Sequence, residues 1–86
     1  MFSLSLSAEA QHVFEAADGP LQRKLDRAFK VLTTDPYHHN NIKRLSGKLK
    51  GRSRFRVGDW RIIFVIEEKK QNVFVSDIAH RSEVYE

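Results

Sequence analysis

The stretch from Arg52 to Ala79 limits the folds open to this chain more than any other. Ile62, Ile63, Phe64, Val65 and Ile66 are apolar at consecutive positions, so a strand over Trp60 to Glu67 buries both faces and belongs in the middle of a sheet. Arg52 to Val57 before it and Asn72 to Ala79 after it have strand composition, with turns at Gly58-Asp59 and around Glu68-Lys69-Lys70-Gln71. A two-residue turn with glycine first favours type II′, which pairs Val57 with Trp60. Counting outward places Phe55 opposite Ile62, Arg56 directly opposite Arg61, and Arg54 opposite Ile63 on the side of the arginine pair.

Upstream, Phe2, Leu4 and Leu6 alternate with serines, the pattern of a half-buried strand over residues 2–6. Ser7 can cap a helix with Glu9 in its first turn and Val13, Phe14 and Ala17 on its apolar side, until Asp18-Gly19 breaks it. Pro20 suits the first turn of a second helix, along which Leu21, Leu25, Ala28, Phe29 and Leu32 recur at helical spacing before Asp35-Pro36 ends it. From there to Gly51 no period is visible. That stretch reads as a long basic loop pinned by Ile42, Leu45 and Leu49, with a short strand near Leu45 allowed. The order strand-helix-helix-strand-strand-strand predicts one α+β domain over residues 1–86, two N-terminal helices packed on a small, mainly antiparallel sheet. A chain this short buries roughly 60% of its unfolded surface, so a single modest core is expected.

Charge is unevenly spread over this frame. Residues 43–61 hold eight basic residues and one acid, a net +7, while the other 67 hold seven basic and ten acidic residues, a net −3. A local excess of this size suits a polyanion, with nucleic acid the first candidate. The chain has no cysteine, which excludes disulfides, thiolate metal sites and thiol nucleophiles. No apolar run reaches membrane-spanning length, and the first residues lack a secretory signal pattern, so a cytoplasmic location without membrane contact is expected. Gly47-Lys48 fails as a phosphate-binding loop because Ile42 and Leu49 stand where glycine and a hydroxyl residue are needed. His38 and His39 are adjacent and have no carboxylate cluster to complete a metal site, so neither a metal nor another cofactor is expected.

The arginines are the informative residues. Like charges directly opposite on a sheet destabilise it, so the facing pair Arg56 and Arg61, with Arg54 beside them, points to an anion that offsets the repulsion. Arginine offers a planar fork of donors matched to phosphate and stays charged at any physiological pH. The plainer account is a solvated face paired with Glu67 or Asp77. Lys48, Lys50 and Arg52, around Gly47 and Gly51, suit tracking of a phosphate backbone, and a charged flexible loop explains them equally. The tail His80-Arg81-Ser82-Glu83-Val84-Tyr85 can fold back over the sheet edge, bringing an imidazole, a guanidinium and a phenol able to move protons or hold phosphate.

Leu45-Ser46-Gly47, the run Arg54-Phe55-Arg56-Val57-Gly58-Asp59-Trp60-Arg61-Ile62-Ile63-Phe64 and the tail ending at Tyr85 together resemble the RelE/ParE toxin superfamily, specifically the RelE-like messenger-RNA interferases of bacterial type II toxin-antitoxin systems. The resemblance covers nearly the whole chain. It implies ribosome-dependent cleavage of messenger RNA by metal-free attack of a ribose 2′-hydroxyl on the adjacent phosphate, with ribosome, mRNA and a cognate antitoxin protein as partners. It further implies that Arg56 and Arg61 stabilise the transition state, with Arg54 a basic position beside them. Arg81 or His80 fills the basic tail position, and Tyr85 matches the tail tyrosine as base or stacking platform. Where the best-known members carry lysines, this chain has Arg54 and Arg56, which do not readily release a proton. His80 or Tyr85 would then take the acid-base role, ahead of Lys48 or Lys50. Two other readings stay open: a ParE-like poison of DNA gyrase acting by protein contact, and a non-catalytic basic RNA-binding module.

Overall fold

The computed structural model describes residues 1–83. Its chain runs β1 (Ser3–Leu6), α1 (Ala8–Ala16), α2 (Gly19–Thr34), β2 (Ile42–Arg44), β3 (Ser53–Val57), β4 (Trp60–Glu67) and β5 (Asn72–His80), with short 3₁₀ turns at Gly47–Leu49, Glu68–Lys70 and Arg81–Glu83. The five strands form one sheet in the order β1-β5-β4-β3-β2. All neighbours are antiparallel except β1 and β5, which run parallel because the two helices carry the chain back before the sheet resumes.

Local chemistry sets the helix ends. The Ser7 hydroxyl accepts the Ala10 N–H at 3.0 Å, and the Asp18 carboxylate accepts the Leu21 N–H at 2.9 Å, each satisfying one orphan donor of a first turn. At the far end of α2 the Asp35 side chain turns the chain by accepting the N–H groups of Tyr37 and His38 at 2.9 and 3.2 Å. The Tyr37 bond is the main reason that its carboxyl lies below the usual aspartate range.

Both helices lie on one face of the sheet. Ala10 from α1 and Leu25, Ala28 and Leu32 from α2 are buried against Phe55, Ile62, Phe64, Val73, Val75 and Ile78. Phe14 and Phe29, with ring centroids 5.8 Å apart, join the two helices. The exposed side of α2 carries Arg23, Lys24, Arg27 and Lys30.

The apparent loop before Arg52 contains more order than its sequence period suggests. β2 pairs with β3 through Ile42 opposite Phe55, Lys43 opposite Arg54 and Arg44 opposite Ser53. Ile42 packs on the core cluster, whereas Lys43 and Arg44 are exposed, as suits an edge strand. Leu45 follows and is buried, and the turn at Gly47–Leu49 then leans over the face opposite the helices.

Candidate functional site

The hairpin adopts the counted register at every pair: Val57 with Trp60, Arg56 with Arg61, Phe55 with Ile62 and Arg54 with Ile63. Gly58 has φ of +59° while Asp59 does not share the left-handed region, as a type II′ turn requires. Side chains alternate across a strand, so Phe55, Val57, Trp60, Ile62 and Phe64 face the helices. Arg54, Arg56, Arg61 and Ile63 therefore face the other way, onto the open side.

Extending the pairing to the flanking strands gives two rows on this open face. One runs Lys43, Arg54, Ile63, Asp77, and the other Arg56, Arg61, Ala79. Neighbouring strands are about 5 Å apart, so the cations lie within reach of a single bound anion. Arg56 is exposed, while Arg54 and Arg61 are half-buried and held in place. One Arg54 terminal nitrogen donates to the Asn41 carbonyl at 2.8 Å, and an Arg61 terminal nitrogen donates to the Gly58 and Trp60 carbonyls at 3.0 Å each.

Beside the arginines runs a groove of about 670 Å³ lined by Ser46, Lys48, Leu49, Ile63, Asp77, Ala79 and Glu83. Ile63 and Ala79 make its floor, and the 3₁₀ turn that contains Lys48 makes a wall. Arg52 reaches the same region, with a terminal nitrogen 4.0 Å from the Asp77 carboxylate. Lys50 is placed elsewhere: it lines a separate cleft with Tyr37, Arg44 and Glu68, and Arg52 borders that cleft as well. The basic loop therefore divides, with Lys48 at the arginine face, Lys50 away from it and Arg52 between the two.

The tail residues also separate. His80 pairs with Trp60 in the register, and the two rings meet edge to face at 5.6 Å. His80 lines a cleft with His12, Val13, Ala17 and Leu21 of the helical layer, so the sheet lies between its imidazole and the arginines. Counting outward from the hairpin turn reaches only β3 and β4, and so gives no side of the sheet to His80 on β5. Arg81 is exposed at the hairpin end, its backbone N–H bonded to the Asp59 carbonyl at 2.7 Å and its Nε 3.7 Å from the Asp59 carboxylate. Tyr85 lies outside the described residues. Among the described residues, no group of three His, Cys, Asp or Glu side chains is gathered to hold a metal ion, and no helix is long and apolar enough to cross a membrane.

Two residues of this face escaped the sequence reading as site residues. Lys43 joins it through a three-residue edge strand too short to show a period. Asp77 joins it through an irregularity in β5, where Ile63 pairs with Asp77 but the next residue, Phe64, pairs with Val75.

A family model for the ParE toxin of type II toxin-antitoxin systems matches residues 4–85. Among solved structures, the archaeal RelE–RelB complex from Pyrococcus horikoshii superposes with a TM-score of 0.81 at 16% identity, covering 96% of this chain and 98% of that one. A YoeB/ParE toxin from Agrobacterium tumefaciens gives 0.82 at 14% identity, covering 92% and 98%. The RelBE2 toxin-antitoxin complex from Mycobacterium tuberculosis gives 0.79 at 20% identity, covering 93% and 98%. A search of curated proteins found no match. At these identities the structures establish a shared fold, two helices on a five-stranded mixed sheet. With the family model spanning nearly the whole sequence, the chain belongs to the ParE toxin family of type II toxin-antitoxin systems, within the RelE/ParE superfamily.

Proposed function

We propose that this toxin is a ribosome-dependent mRNA endonuclease that inhibits translation by cleaving the message through attack of a ribose 2′-hydroxyl on the adjacent phosphate. The observation that carries this reading is the Arg56–Arg61 pair, directly opposed on a face that the helices leave open and flanked by Arg54. The sheet tolerates that repulsion without any gain for the core. A phosphate that becomes a dianionic phosphorane in the transition state is the ligand that such a cradle would stabilise most.

In this scheme Arg56 and Arg61 hold the scissile phosphate, and Arg54 and Lys43 hold its neighbour. Lys48 and Arg52 guide the backbone past the groove, with Lys50 contacting ribosomal RNA farther along. Arg81 adds a cation at the hairpin end, and Tyr85 supplies an aromatic platform for a base. The ribosome presents the message, and a cognate antitoxin restrains the toxin by covering the basic face with acidic groups. Support for the antitoxin comes from the RelE–RelB and RelBE2 structures, both solved as complexes.

The ParE description of the family model favours a second reading, a gyrase poison that acts by protein contact. Expression of the protein followed by primer extension on cellular messages and inspection of the chromosome separates the two. Breaks within translated codons with intact DNA are expected. Double-strand DNA breaks with intact messages would replace the nuclease by the gyrase reading.

A further inference from the structure

The arginine cradle stabilises charge but has no group able to accept a proton, because arginine keeps its own. His80 is across the sheet from it. A nuclease of the proposed kind still needs an acceptor for the 2′-hydroxyl proton. On that reading of the function, we propose that Asp77 is that acceptor.

The bulge in β5 is what brings it there. Val73 and Val75 face the core, so unbroken alternation would turn Asp77 inward and leave Ser76 on the open face. One extra residue between the Phe64–Val75 and Ile63–Asp77 pairs reverses the alternation, sending Ile78 into the core and Asp77 outward into the row of Arg54 and Ile63. The irregularity is held from both sides. The Ser7 N–H donates to the Val75 carbonyl at 2.9 Å and its hydroxyl to the Ser76 carbonyl at 2.7 Å. The Ser76 hydroxyl lies 3.3 Å from the Ile63 carbonyl and 3.1 Å from the Asp77 carboxylate. A bulge that re-aims one side chain beside a site is a recurrent device.

Asp77 lines the groove beside the arginines, with about half of its side chain accessible. The charged groups around it are Arg52 and Lys48 from the β2–β3 connection, Arg54 from β3, Arg61 from β4 and Glu83 from the C-terminal turn. Glu83 is engaged, its carboxylate accepting the His80 N–H at 3.1 Å. A message whose scissile phosphate rests between Arg56 and Arg61 can lay the preceding ribose over Ile63 and Ala79, toward Asp77.

The step balances without a metal. The 2′-hydroxyl proton passes to the Asp77 carboxylate as O2′ bonds to phosphorus. The bond from phosphorus to the 5′-oxygen breaks, and that oxygen leaves with its electron pair and takes a proton from water. The hydroxide formed then recovers the proton from Asp77, leaving a 2′,3′-cyclic phosphate and a 5′-hydroxyl.

Single-turnover cleavage of a defined message on programmed ribosomes tests the assignment, comparing wild type with Asp77→Asn and Asp77→Glu. Asp77→Asn should slow cleavage about 100-fold, with ribosome affinity changed by less than about twofold. Asp77→Glu should restore part of the rate. Cleavage by wild type with Asp77→Asn within about threefold of it, or slowed only through lost ribosome affinity, overturns Asp77 alone. An intact message with wild type overturns the nuclease reading, and the assignment with it.

Discussion

Arg56 is the residue at which the proposed function sets activity against stability. It is exposed, and its side chain makes no hydrogen bond or ion pair among the described residues, yet it stands opposite another guanidinium. Arg56→Ala should therefore leave the free protein as stable as before or up to about 0.5 kcal/mol more stable, since it removes a like-charge pair. Cleavage on the ribosome should nevertheless fall by about 100-fold, the scale expected when one donor to a transition-state oxyanion is removed. Urea unfolding beside a cleavage assay reads both effects. A loss of stability with unchanged cleavage would mean that Arg56 serves the fold. Arg61 should behave less cleanly, because it also holds the Gly58 and Trp60 carbonyls.

At the scale of elements, the bulge and the end of α2 can each be tested. Ser7 caps α1 and also ties down Ser76, so Ser7→Ala should cost about 1 kcal/mol for the cap and about 1 kcal/mol more for the bond to β5. If the bulge positions Asp77, that variant should also slow cleavage beyond what its stability loss explains. At the end of α2, the lowered Asp35 carboxyl contributes stability that is complete above the ordinary aspartate range and is lost as pH falls through the lowered value. Denaturation midpoints across acid pH should show this limb in wild type and lack it in Asp35→Asn. Much of this scale was legible in the sequence: Ser7 as a cap, Pro20 in a first turn, and the hairpin register from Gly58-Asp59 alone. β2 was legible only as an allowed short strand near Leu45, because a three-residue edge strand carries no periodicity and its pairing is decided by β3. The bulge was not legible at all. Val-Phe-Val-Ser-Asp-Ile reads as plain alternation that fails at one point, and only the bonds from Ser7 and to Ile63 fix where the extra residue falls.

Taken whole, the molecule is a cationic sheet edge joined to a slightly acidic remainder, +7 over residues 43–61 against −3 elsewhere. Affinity for programmed ribosomes should accordingly fall steeply with salt. Replacing Lys48 or Arg52 by Gln should lower the slope of log affinity against log salt by about 0.7 for each phosphate that is no longer neutralised, whatever the codon. A slope unchanged by both substitutions would remove the loop from the RNA path. The proposed chemistry is sharper than binding: with a phosphate held on the open face, the ribose beside it would supply the nucleophile. Purified toxin should therefore cut an all-ribose message on the ribosome and fail to cut the same message carrying a single 2′-deoxy nucleotide on the 5′ side of the scissile bond. Cutting at that same bond in the 2′-deoxy message would rule out attack by the ribose 2′-hydroxyl.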